Sequence, residues 1–251
     1  MPSSSQVAII TGGAAGIGKA CAVRFAKEGM RLVLADISAA DGAETLQDLK
    51  AKGADVVFEH GTIADEKFCQ HLAQVAIERW GRIDVLVANA ANRNFSRIQD
   101  ATEQEWDEML AVNLKGTAFS AKAVLPQMIQ QKSGTIVLMS SVHHEVGRSE
   151  MPIYDATKSG IISLTKSLAI DHAADGIRAN AVCPGFTVTD FHIRKALAEG
   201  RSVEALKKTK ISPMQRPADP SEIAAAAYFL ASSESSFITG QYLMVDGGLS
   251  V

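Results

Sequence analysis

The apolar positions fall into short runs separated by longer amphipathic stretches. Val7–Thr11, Arg31–Asp36, Asp55–Glu59, Ile83–Asn89, Thr135–Ser141, Arg178–Cys183 and Tyr242–Asp246 are mostly rich in Val, Ile and Leu and do not alternate strictly with polar residues. That pattern belongs to strands buried on both faces of a parallel sheet. Between them the spacing predicts helices over 17–28, 39–52, 65–80, 103–132, 154–174 and 219–231, the fourth broken near Asn113. Regular alternation of strand and helix predicts an α/β fold: a doubly wound, mainly parallel seven-stranded sheet with right-handed crossovers. No repeat, low-complexity tract or linker divides it, so residues 1–251 read as one domain. The polar, helix-patterned segment 190–215 interrupts the alternation; such an excursion is either a lid over a site or a mobile surface loop.

Composition narrows the class. A chain of 251 residues, 47% hydrophobic, is long enough to bury one large core. A net charge of −3 with no run of like charges argues against a nucleic-acid partner. The start MPSSSQ carries no basic segment followed by an apolar one, and no 18-residue apolar stretch occurs, so neither a signal peptide nor a membrane span is expected. Cys21, Cys69 and Cys183 are scattered and odd in number, as expected of reduced thiols in a cytoplasmic protein.

Two stretches carry chemistry. The first predicted strand runs into TGGAAGIG (11–18), where Gly12, Gly16 and Gly18 let backbone amides and a helix N-terminus approach a pyrophosphate. Asp36 ends the second strand, where a carboxylate accepts the ribose hydroxyls of an adenosine and repels a 2′-phosphate. Gly13, Ala14, Ala15, Ile37 and Ser38 offer no cation for such a phosphate, which predicts NAD(H) rather than NADP(H). Further along, YDATK (154–158) puts Tyr154 and Lys158 on one helix face. A phenol titrates near pH ~10; a neighbouring ammonium favours its ionised form and makes it a proton carrier nearer neutrality. The glycine turn, Asp36, Asn89, Ser141 and Pro184–Gly185 all fall at the carboxyl ends of predicted strands, where ligands of open α/β sheets bind.

In this order and spacing, TGGAAGIG (11–18), Asp36, ANAA (88–91), VNLKG (112–116), MSS (139–141), YDATK (154–158), NAVCPGFTVT (180–189) and VDGG (245–248) resemble the short-chain dehydrogenase/reductase family over essentially the whole chain. The resemblance implies a Rossmann fold and a set of roles. Tyr154 is the implied catalytic acid/base, and Lys158 holds the nicotinamide ribose and lowers the pKa of Tyr154. Ser141 hydrogen-bonds the reacting oxygen. Asn113 kinks its helix and holds a water in a proton relay. Asn89, Ala90 and Ala91 pass along the adenosine and its ribose. Pro184 and Thr187 position the nicotinamide carboxamide, supported by Thr189. Ala15, Ile17, Ile37, Thr62, Ile63 and Gly185 complete the implied cofactor site alongside the glycines and Asp36. A homotetramer is also implied, with Ala118, Ala121, Ala156, Gly160, Ile161 and Leu164 available to pack between subunits or against their own sheet. Three positions depart from the family pattern: Thr62 replaces a frequent acid, ANAA replaces Asn-Asn-Ala-Gly, and His144 stands where glycine is frequent.

HHEVGR (143–148) lacks the second histidine of a zinc-protease helix, Arg148 taking its place, and the remaining histidines show no ligand spacing, so no metal is expected. His143 lies two residues beyond Ser141 and is read as a substrate contact, with Phe186 and His192; His144 is read as structural. Glu145, Arg148, Glu150, Phe191 and Arg194 add to a polar surround, which predicts a small hydroxylated substrate such as a sugar, polyol or sugar acid. The sequence thus points to an NAD(H)-dependent oxidoreductase interconverting a secondary alcohol and a ketone. The alternatives are an NADPH-dependent 3-ketoacyl-type reductase and a non-catalytic dinucleotide-sensing module.

Overall fold

A computed structural model describes residues 6–251; residues 1–5, where the sequence predicts no leader, lie outside it. The strands are β1 (Val7–Thr11), β2 (Arg31–Asp36), β3 (Val56–His60), β4 (Val85–Ala88), β5 (Gly134–Met139), β6 (Ile177–Pro184) and β7 (Tyr242–Val245). They form one sheet in the order β3-β2-β1-β4-β5-β6-β7, and every pairing is parallel. The helices are α1 (Gly16–Lys27), α2 (Ala39–Ala51), α3 (Glu66–Trp80), α4 (Glu103–Met109), α5 (Thr117–Gln131), α6 (Pro152–His172), α7 (Asp190–Ala198), α8 (Val203–Lys207) and α9 (Pro220–Ala231).

Alternation along each strand divides the core. Ala8 and Ile10 of β1 pack with Phe25 of α1, Leu49 of α2 and Ile223 of α9. Val7 and Ile9 point the other way, toward Leu72 of α3, Val124 of α5 and Ile161 of α6. Both faces are covered, which is why the strands read as nearly continuous apolar runs. Ala121 and Ile161, candidates for subunit contact, are buried within the chain's own core.

The sheet order reverses between β1 and β4, which opens a crevice at the carboxyl ends of those strands. Three local features shape its rim. The predicted break near Asn113 is a π-helical turn, Leu110–Gly116, between α4 and α5. β5 stops at Met139, so Ser141 stands beyond the strand, opening a short 3₁₀ turn over Val142–His144. Pro152 starts α6 two residues earlier than the sequence pattern suggests, because its fixed φ suits a first helical position. Segment 190–215 contains α7 and α8 and lies at the same end of the molecule, Phe191 and Ile211 both bordering the crevice.

All three cysteines are buried and free. Burial pushes the thiols of Cys21 and Cys183 up to about 12. Among the described residues no helix is long and apolar enough to cross a membrane, and no three His, Cys, Asp or Glu side chains gather into a possible metal site.

Candidate active site

The floor of the crevice is tied together where β1 and β4 end. Thr11 Oγ1 accepts the Asn89 and Ala90 amides at 3.0 and 3.1 Å, and Asn89 Nδ2 donates to the Thr11 and Gly12 carbonyls. Gly12 has φ +64, and a Cβ there would lie 2.8 Å from Ala90 Cα. A Cβ on Gly18 would meet the Gly12 carbonyl at 1.8 Å, so this glycine seats α1 on the turn and does not itself line the crevice. Gly16 N–H, at the N-terminus of α1, donates to Asp190 Oδ2 at 2.7 Å; an anion already rests at the positive end of this helix.

Asp36 is held by two backbone amides, Ala14 N–H at 3.1 Å and Ser38 N–H at 3.0 Å. The cations on this side are engaged elsewhere. Lys19 pairs with Glu44 and Asp48, and Arg194 of α7 forms a two-pronged pair with Asp41 of α2. Thr62 Oγ1 accepts the Ala64 amide at 3.2 Å.

From Asp36 a cleft of about 670 Å³ runs to Tyr154. Every predicted catalytic, cofactor and substrate residue lines it except Gly18 and Asn113. Asn113 is fully buried, and its amide grips the backbone of Asn92: Asn92 N–H donates to Oδ1 at 2.6 Å, and Nδ2 donates to the Asn92 carbonyl at 2.9 Å. The Asn113 carbonyl accepts the Thr117 hydroxyl at 2.7 Å. Asn113 therefore positions the loop after β4 from beneath.

At the other end of the cleft, Tyr154 sits in the first turn of α6 with only 7% of its surface exposed. The Ser141 hydroxyl and the Arg93 guanidinium lie beside its phenol and favour its ionised form. Ser141 Oγ also accepts His143 N–H at 3.2 Å. Lys158, one turn along and buried, donates to the Met139 carbonyl at 2.7 Å and lies 5.4 Å from the centre of the Tyr154 ring.

These contacts correct the simple picture of an ammonium acidifying a phenol. Burial raises the Tyr154 pKa, opposed chiefly by the charge of Arg93. Burial, reinforced by repulsion from Arg93, pulls Lys158 down to about 7. Burial thus keeps the phenol protonated in the cofactor-free protein and brings Lys158 down toward neutrality.

The histidines separate by environment. His144 is tucked away, its Nδ1 2.7 Å from the Ser141 carbonyl and its ring edge-on to Tyr242 at 4.8 Å. His143 borders the cleft with Nδ1 2.9 Å from the Val146 carbonyl. His192 stacks edge-on with Phe186 and Phe191 at 5.1 and 5.3 Å. Burial, then repulsion from Arg93, Arg148 and Lys195, pushes its pKa down to about 4, so its ring is neutral. Arg148 and Phe191 border the cleft; Glu145, Glu150 and Arg194 do not.

Arg93 is the residue that pattern reading missed. Besides the phenol, its guanidinium lies 3.4 Å from His192 Nε2, 5.7 Å from the centre of the Tyr154 ring and 5.4 Å from that of Phe191. Its one sequence signal is place: a charged residue in the loop just beyond the carboxyl end of β4.

Known proteins resemble the chain over almost its whole length. A family model described as enoyl-(acyl carrier protein) reductase matches residues 12–250. The chain is 36% identical to glucose 1-dehydrogenase 2 of Bacillus subtilis, over 99% of this chain and 96% of that one. It is 37% identical to the 3-oxoacyl-[acyl-carrier-protein] reductase FabG of Staphylococcus aureus, over 98% of each. Among solved structures, ligand-free aldohexose dehydrogenase of Thermoplasma acidophilum superposes with a TM-score of 0.86 at 33% identity, covering 98% of this chain and 94% of that one. With family motifs, sheet order and relatives in agreement from end to end, the chain is an oxidoreductase of the short-chain dehydrogenase/reductase family.

Proposed function

We propose that this protein is an NAD(H)-dependent oxidoreductase interconverting a secondary alcohol and a ketone on a small polar substrate. One observation carries the reading. The Tyr154 phenol, beside Ser141 and followed one turn later by Lys158, lines a single cleft with the Asp36 carboxylate.

The residues fit a dinucleotide. The α1 N-terminus holds an anion in the Asp190 carboxylate, and a pyrophosphate would approach the backbone amides of the glycine turn there. Asp36 would take the adenosine ribose hydroxyls, Asn89–Ala91 would flank the adenosine, and Lys158 would hold the second ribose. Pro184, Thr187 and Thr189 would seat the nicotinamide carboxamide. When bound, the cofactor accepts or supplies hydride. Ser141 and Tyr154 would hold the substrate oxygen. In reduction, the neutral phenol gives its proton to the carbonyl oxygen. In oxidation, it must ionise first, which the positive charge of Arg93 favours.

The preference for NAD(H) rests on Asp36 and on the engagement of Lys19 and Arg194 with carboxylates. A polar substrate is supported by His143, Arg148, Arg93 and His192 around the reacting end, and by likeness to glucose and aldohexose dehydrogenases. The likeness to a 3-oxoacyl-[acyl-carrier-protein] reductase supports a second reading, an NADPH-dependent 3-ketoacyl reductase. A panel of polyols, sugar acids, steroids and acyl-chain alcohols with NAD⁺, run beside 3-ketoacyl thioesters with NADH and NADPH, tests both. Turnover confined to steroids or acyl chains would refute the polar-substrate reading. We also assign the homotetramer to this chain by family likeness; light scattering tests the subunit count.

A further inference from the structure

The reacting end of the cleft carries two guanidiniums, those of Arg93 and Arg148, beside His143, Lys158 and His192. Among the described residues the only carboxylate in the lining is Asp36, at the adenosine end. Arg148 has partial compensation, since its amide donates to Asp155 and its charge acts on that carboxylate. Arg93 has none. Among the described residues no carboxylate lies within ion-pair distance of its guanidinium; its neighbours are a phenol, a neutral imidazole and an aromatic ring.

A half-buried guanidinium without an anion is costly to keep, and its fork of donors matches a carboxylate. We propose that Arg93 receives a carboxylate of the substrate, so that the molecule turned over is a hydroxy acid or its keto acid rather than a neutral polyol. The inference rests on the oxidoreductase reading above and adds a binding contact to it. Because the guanidinium lies 5.7 Å from the centre of the Tyr154 ring, the carboxylate must lie within a few bonds of the carbinol, as in 2- and 3-hydroxy acids. A charge-assisted, bidentate contact of this kind is stronger than a neutral hydrogen bond and discriminates against the uncharged analogue.

The test pairs acids with neutral counterparts of the same skeleton: lactate with lactamide, 3-hydroxybutyrate with 3-hydroxybutyramide, and gluconate with glucitol, each with NAD⁺. At least one acid is expected to exceed its partner in kcat/KM by ~10-fold or more. Arg93→Gln should bring that ratio down to near parity, mainly through the KM of the acid, and Arg93→Lys should restore part of it. If Arg93 serves only to tune Tyr154, Arg93→Gln will instead lower kcat for acid and neutral partner alike and leave the ratio intact, which overturns the inference. So does faster turnover of the neutral partners, and in both cases the oxidoreductase reading survives. Turnover of neither kind, in these pairs or in the wider panel, would remove both together.

Discussion

Asp190, the first residue of α7, sets its carboxylate 2.7 Å from the amide of Gly16, the first residue of α1. Two segments 174 residues apart thus meet over the place where a pyrophosphate would dock. A carboxylate and a phosphate cannot share one helix terminus without repulsion, so Asp190 would compete with a pyrophosphate docking there. Asp190→Ala is expected to tighten NADH binding by roughly two- to fivefold, the worth of one charge at a helix end. Fluorescence titration of NADH measures it; weaker binding would mean that Asp190 holds the site open for the cofactor.

Tyr154→Phe removes the hydroxyl and keeps the ring that fills the buried space above α6. NADH binding should persist while kcat falls by roughly 10²–10⁴, the usual worth of a positioned acid/base. Near-normal turnover would place the proton transfer elsewhere.

Lys158 gives a pH signature in the cofactor-free protein. Its folded pKa is about 7 against 10.5 as the ordinary value. Between those values the unfolded chain holds a proton that the folded protein does not, so unfolding becomes harder as pH rises through this window. Buried and uncharged, Lys158 is thus a cost to folding at neutral pH that fades toward pH ~10. Urea melts of wild type and Lys158→Met should show Met the more stable at pH ~7. The gap should narrow with pH, at up to about 1.4 kcal/mol per unit. A pH-independent difference would mean that the ammonium stays charged in the fold.

Asp36→Ala should weaken NAD⁺ binding and relax discrimination against NADP⁺ by about tenfold or more, because it removes both an acceptor for the ribose hydroxyls and a charge that repels a 2′-phosphate. The readout is the ratio of kcat/KM for the two cofactors. A wild-type enzyme that already prefers NADP⁺ would contradict the assignment.

Much of the scaffold was legible in the residues because its constraints act locally. Strands such as β1 and β2 are covered on both faces and so are apolar throughout. Gly12 needs a left-handed φ and Gly18 has no room for a Cβ, and backbone demands of that kind are met by one residue type. The break at Asn113 was visible too, though not its π-helical form. What escaped is set by contacts distant in the chain. The depressed pKa of Lys158 follows from burial near Arg93, 65 positions away. Arg93 itself belongs to no periodic pattern, and a lone arginine in a loop looks like any solvated charge until its neighbours are known. The two histidines look equivalent as letters; the 3₁₀ turn sends one to Tyr242 and leaves the other beside the cleft.

The amide of Asn113 takes both hydrogen-bonding groups of the Asn92 backbone, as a neighbouring strand would. One buried side chain thereby welds residues 89–93 to the helix below, with Asn89 at one end of the welded stretch and Arg93 at the other. Were an adenosine to rest on Asn89 as proposed, this tie would link its seat to the guanidinium at the reacting end, so that loosening Asn113 would disturb both ends of the cleft together.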